Sequence, residues 1–168
     1  MNQQENQAFE KLLEDNKGKI YRICRIYAIS PIEPQDLFQE VIYQVWKSFS
    51  SFKEQATIST WVYRIAINVC LRSKLKFEKN SLKTIRFDAI QFMASQDTSD
   101  QIEDEKYQFL RDCISSLPEG DQSIVILYLE EVAYKEIAVI TGLTENHIAV
   151  KMKRIRKLLF DCITPKLN

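Results

Sequence analysis

The stretch Tyr134 to Leu159, YKEIAVITGLTENHIAVKMKRIRKLL, gathers the side chains of this sequence whose types and spacing suit contact with nucleic acid. Ile148, Met152, Ile155 and Leu159 recur at i, i+4, i+7 and i+11, which makes one apolar stripe of a helix. Asn146, Val150, Lys153, Arg154 and Lys157 fall on the opposite side. Positioning that polar face takes a shorter helix before it, Tyr134 to Ile140, with Ile137 and Ala138 turned inward. Gly142 supplies the positive φ of a helix C-cap, and Leu143 plugs the turn. Thr144 is an N-cap, its hydroxyl accepting an otherwise unpaired backbone N–H. The layout is a helix-turn-helix that offers its second helix to a DNA major groove.

The whole chain frames this motif. With 168 residues it holds one compact domain or two small ones. Three glycines, four prolines and no sustained β-branched alternation make the fold class all-α. No apolar run reaches the length of a membrane span, so no membrane insertion is expected. The segment MNQQENQAFEKLLEDN lacks a signal-peptide pattern, so a cytoplasmic location is expected. One histidine, no glycine-rich phosphate loop and no paired acids in a pocket mean that no enzyme activity and no cofactor are expected. Cys24, Cys70, Cys113 and Cys162 are widely spaced and form no metal-binding pattern. The first three read as small core hydrophobes, and no redox or metal role is expected.

Net charge is zero, but its distribution is uneven. Arg72 to Arg86 holds six basic residues against Glu78, and Lys151 to Lys157 holds five in seven. Between them, Asp97 to Asp121 carries eight acidic residues against Lys106 and Arg111. The chain is therefore expected to meet phosphate at two places.

A first helix is predicted from Asn6 to Tyr27, with Phe9, Leu12, Leu13, Ile20, Ile23 and Tyr27 inward. Pro31 and Pro34 separate it from a second, in which Leu37, Val41 and Val45 form the stripe. Asp36, Gln39, Glu40 and Gln44 lie around the other side of that helix. After a loop from Ser50 to Ser59, a helix from Thr60 to Lys76 puts Trp61, Ile65 and Val69 inward. Tyr63, Ile67, Leu71 and Lys74 lie opposite, as an exposed apolar stripe or one that the first helix covers. Phe77 to Thr98 reads as linker, with a short docked helix over Ile85 to Met93. Helical periodicity resumes from Ile102, with Phe109, Leu110, Cys113, Ile114 and Leu117 on one face. A turn follows in which Asp121 caps a further helix that buries Ile124, Leu127 and Tyr128. Two small helical domains joined by a linker are expected: 1–77, a linker over 78–100, and 101–168.

The run DLFQEVIYQVWKSFSSFKEQATISTWVYRIAIN resembles the second region of bacterial RNA polymerase sigma factors. LPEGDQSIVILYLEEVAYKEIAVITGLTENHIAVKMKRIRKLL resembles their fourth. A short chain with only these two regions is similar to the extracytoplasmic-function (ECF) group. The resemblance implies binding to core RNA polymerase through Asp36, Gln39, Glu40 and Gln44, whose carboxylates and amides suit arginines on a partner. It implies capture of unstacked bases at the minus-ten promoter element, with strand opening. Lys53, Thr57, Ser59, Thr60, Arg64, Ile67, Asn68, Leu71 and Lys74 carry over to that role. Reading of the minus-thirty-five element falls to Thr144, Glu145, Asn146, His147, Val150, Lys151, Lys153 and Arg154. There Asn suits adenine and Glu suits cytosine. Ala149 and Ile155 depart from the family pattern, so promoter preference does not carry over. Core RNA polymerase, promoter DNA and an anti-sigma factor are the implied partners. A stand-alone helix-turn-helix regulator is the alternative, and a helical adaptor without DNA contact is a third reading.

Overall fold

The computed structural model describes residues 3–53, 56–83 and 101–167. Among the described residues the regular structure is helical throughout, with no strand. The helices are α1 (Gln3–Tyr27), α2 (Pro34–Ser48), α3 (Ile58–Lys83), α4 (Gln101–Ser115), α5 (Glu119–Leu129), α6 (Tyr134–Thr141) and α7 (Glu145–Leu167).

In the first group, α1, α2 and α3 pack pairwise. Pro34 opens α2, where a missing N–H costs nothing, and the stripe Leu37, Val41 and Val45 is buried as the periodicity predicts. Thr57 caps α3: its Oγ1 accepts the Thr60 backbone N–H at 3.2 Å. That helix continues past the expected end at Lys76 through Lys83, because KFEKNSLK contains no proline or glycine to stop it. The first residues of the expected linker are thus helical. The helix expected over Ile85 to Met93 lies outside the described residues.

In the second group α5 begins three residues earlier than expected. Pro118 is its N-cap position, so Asp121 lies in the first turn and does not cap. Ile124 and Leu127 are buried, while Tyr128 stays partly exposed under the guanidinium of Arg156, 4.9 Å from its ring centroid. Gly142 adopts φ 74° at the end of α6, and its N–H reaches the Ala138 carbonyl at 2.9 Å. Thr144 Oγ1 accepts the His147 N–H at 3.2 Å, as an N-cap does. Ile148, Met152 and Ile155 are fully buried, each contributing roughly 1.5–3 kcal/mol of burial.

The two groups share one continuous apolar core. Tyr27 and Ser123 meet through their hydroxyls at 3.0 Å, Arg25 lies 4.2 Å from the Tyr107 ring centroid, and α3 packs against α6. This packing decides the two-way question over α3. Tyr63 and Ile67 are buried, and the Tyr63 hydroxyl donates to Asn16 Oδ1 of α1 at 2.8 Å. Burial raises the Tyr63 phenol above its ordinary pKa, and the carboxylates of Glu130 and Glu136 add to the rise. Of the stripe, Tyr63 and Ile67 are covered, as the second of the two readings has it, while Leu71 and Lys74 stay half-buried.

The cysteine expectation also changes. Cys113 and Cys162 form a disulfide with Cα atoms 5.9 Å apart, tying α4 to the distal part of α7. Cys24 and Cys70 are buried free thiols, and a hydrogen bond between them, followed by burial, pushes the Cys70 thiol up.

Candidate functional site

Three surfaces carry the residues singled out above. On α2, Asp36, Gln39 and Glu40 are exposed and Gln44 is half-buried, its Nε2 donating to Glu40 Oε1 at 2.7 Å. Asp36, Glu40 and Gln44 line one wall of a groove of about 620 Å³. Arg72 and Lys76 of α3 stand on the groove too, a basic contribution that the reading of α2 alone misses. Gln39 lies outside the groove lining.

The second surface is the loop before α3 and the first turns of that helix. Ser51, Phe52, Lys53, Ala56, Thr60, Trp61 and Arg64, with Val139 of α6, enclose a cavity of about 200 Å³. Phe52 and Trp61 form its aromatic part, with ring centroids 5.1 Å apart and planes inclined by 44°. Trp61, expected in the core, packs against it but is only half-buried and also lines this cavity. Lys53, Thr57, Arg64 and Asn68 are exposed; Ser59, Leu71 and Lys74 are half-buried. Thr60 and Ile67 are buried, so neither is open to a ligand in this arrangement. For Ile67 the cause is the cover over α3 just described.

The cause for Thr60 is Glu136, which no sequence pattern flags. Thr57 and Thr60 hydroxyls lie 2.7 Å apart, and Glu136 Oε1 sits 3.1 Å from the first and 3.0 Å from the second. A carboxylate can only accept, so the two hydroxyl protons are shared among these three oxygens.

The third surface is α7. Thr144, Glu145, Asn146, His147, Val150, Lys153 and Arg154 are exposed, and Val150 is 62 % exposed despite being apolar. Lys151 and Arg154 both reach back to Asp121, Lys151 Nζ at 2.8 Å from Oδ1 and Arg154 Nη2 on Oδ2. Asp121 is 1 % exposed. Burial alone would push its carboxyl up, but the two cations outweigh burial and hold it below the usual carboxylate value. The acidic charge at the start of α5 was visible in the sequence; its pairing across some thirty residues was not.

Among the described residues no cluster of His, Cys, Asp and Glu is arranged to hold a metal, and no helix is long and apolar enough to cross a membrane.

Comparison with known proteins matches these groups to two families. Residues 12–79 match Sigma-70 region 2, and residues 108–159 match Sigma-70, region 4. The chain is similar to RNA polymerase sigma factor SigV of Bacillus subtilis, with 26% identity over 88% of this chain and 86% of that protein. It is similar to ECF RNA polymerase sigma factor SigW of the same organism, with 25% identity over 90% of this chain and 87% of the relative. The fold is shared with the sigma factor RpoE of Bartonella quintana, solved in complex with the anti-sigma factor NepR. That match has a TM-score of 0.73 and 16% identity, over 94% of this chain and 98% of the other.

Proposed function

We propose how these surfaces divide the work of a chain that belongs to the extracytoplasmic-function group of RNA polymerase sigma factors and directs promoter-specific transcription initiation by core RNA polymerase. The parts are residues 1–77 for polymerase binding and the minus-ten element, 78–100 as connection, and 101–168 for the minus-thirty-five element. Asp36, Gln39, Glu40 and Gln44 engage core polymerase. The observation that supports this most directly is the groove on α2, where two carboxylates and an amide stand exposed or half-exposed in a row. Such a row recognises guanidinium groups through charge-assisted hydrogen bonds.

Lys53, Thr57, Ser59, Thr60, Arg64, Asn68 and Lys74 take the displaced strand at the minus-ten element, with Phe52 and Trp61 as the surface against which a base stacks. Buried Ile67 supports α3 from within, and half-buried Leu71 lies at the edge of the unstacked duplex. Thr144, Glu145, Asn146 and His147 meet base edges at the minus-thirty-five element. Val150 adds apolar contact, and Lys151, Lys153 and Arg154 meet phosphate or guanine. The chain performs no bond chemistry of its own, works in the cytoplasm, and is held by an anti-sigma factor, as the Bartonella sigma factor is in its solved complex. A stand-alone regulator is not favoured, because the region 2 match covers a surface that such a protein does not need.

The test is transcription by bacterial core polymerase from a pool of promoter fragments, with and without this chain. Specific transcripts should arise only with the chain and disappear when Asp36 and Glu40 are both replaced by alanine. Fragments selected by the chain alone, with polymerase neither bound nor redirected, would transfer the assignment to the regulator.

A further inference from the structure

The cavity beside Phe52 and Trp61 is closed on one side by α6, a helix that belongs to the other half of the chain. Val139 of α6 supplies apolar wall, and Glu136, one turn earlier, ties up the hydroxyls of Thr57 and Thr60. These are the groups an unstacked base would use: a flat apolar surface and polar atoms for its edge. Glu136 also places a negative charge where a DNA backbone must approach. The exposed face of α7 with Asn146, Val150 and Lys153 has no such cover.

Scale gives a second argument. A compact chain of this length has a radius of gyration of about 15 Å. The minus-ten and minus-thirty-five elements, about 25 base pairs apart, lie roughly 85 Å from each other on duplex DNA. The packed chain is too short to read both. For one chain to read both, its halves must separate, and separation would carry α6 away from the cavity.

We propose that Glu136 of α6 is an internal latch on the minus-ten loop: it holds Thr57 and Thr60 in the packed chain and keeps the strand-capture cavity shut until the halves part. The inference rests on the assignment of this loop to the minus-ten element and adds its regulation. Glu136 is half-buried and lies outside the residues assigned to DNA contact, so its replacement removes the acceptor shared by Thr57 and Thr60 without substituting any assigned residue.

The experiment uses the free full-length chain, with a fluorescein-labelled pool of random single-stranded DNA 12-mers followed by anisotropy at fixed salt. Amide hydrogen exchange across residues 57–64 is measured alongside. Glu136→Ala should bind the pool at least about five-fold more tightly than wild type and exchange faster over that segment. Glu136→Gln, which keeps an acceptor but loses the charge, should fall between. Glu10→Ala, which removes an exposed charge from α1, should match wild type, and holoenzyme carrying Glu136→Ala should transcribe as wild type does. Unchanged affinity and exchange in Glu136→Ala overturn the latch, as does an equal gain in Glu10→Ala. If those results come while Arg64→Ala still impairs promoter opening by holoenzyme, the latch fails and the minus-ten assignment stands. If exchange rises without any gain in DNA binding, and Arg64→Ala opens promoters normally, the latch and the assignment fail together.

Discussion

Arg22 of α1 forks onto Glu130 at the end of α5, with Nε 2.9 Å from Oε1 and Nη2 2.7 Å from Oε2. The pair joins residues 108 positions apart, one from each half of the chain. Lys19 Nζ adds a bond of 2.8 Å to the Glu130 backbone carbonyl. The Glu130 side chain is almost wholly buried while that of Arg22 is about half exposed, so the carboxylate depends on its partner more than the reverse.

Removing Arg22 leaves that buried carboxylate without its guanidinium. Arg22→Ala should destabilise the packed state by about 1–3 kcal/mol, the cost of an unpaired buried polar group. Urea unfolding followed by circular dichroism measures it. Exchange should rise first at the contact between α1 and α5, and a wild-type unfolding midpoint would count against the ion pair as a clasp.

Asp121 sets a pH dependence. Its folded carboxyl lies below the ordinary value near 3.9, so the unfolded state binds protons first on acidification. The stability it contributes is complete above about pH 4 and is lost as pH falls through the lower, folded value. Asp121→Asn should lower stability at neutral pH and flatten the acid limb of the stability curve below pH 4. The same change releases Lys151 and Arg154. Non-specific duplex binding should then show a salt slope steeper by about 1 for each cation that gains a phosphate. Titration of anisotropy against salt decides it.

Asn146 stands exposed in the first turn of α7 with its amide free to pair with an adenine edge. Asn146→Ala in the holoenzyme should cost about 1–3 kcal/mol at one minus-thirty-five position and relax the base preference there. Lys153→Ala should instead weaken all sequences alike. Selection from a randomised minus-thirty-five segment separates the two patterns; a uniform loss in both variants would remove Asn146 from the base-reading set.

The Cys113–Cys162 bond restrains the distal part of α7 across 49 residues of sequence. Reduction, or Cys113→Ser, should lower stability by about 2–4 kcal/mol through the freer unfolded chain. Thermal melts with and without dithiothreitol should differ for wild type and coincide for Cys113→Ser.

Where a helix has one buried face, the sequence tells its orientation. Leu37, Val41 and Val45 on α2, and Ile148, Met152 and Ile155 on α7, have polar residues opposite, so both exposed surfaces were legible. The turn at Gly142 and the cap at Thr144 were legible for another reason, since each is local chemistry within four residues. Tyr63 and Ile67 show where pattern stops: a second apolar stripe says that a helix is covered, not by what. Periodicity puts Trp61 against the core, where it packs, but its position beside Phe52 depends on a loop without period. Glu130, Glu136 and Asp121 were illegible as partners, because each acts on a residue from 30 to more than 100 positions away. Sequence spacing does not record such pairings. The cysteine pair belongs here too, since two thiols read separately say nothing of their distance.

The groove beside α2 has a handedness of charge. Asp36 and Glu40 stand on it from α2, while Arg72 and Lys76 stand on it from α3. A rod-like partner lying in the groove therefore meets carboxylates along one flank and cations along the other. Turned about its own axis, the same partner would set like charges against each other on both flanks, which disfavours that orientation. A partner seated in the groove would thus have its roll angle set by these charges, and through it the bearing that the continuous helix α3 gives to the loop at its far end.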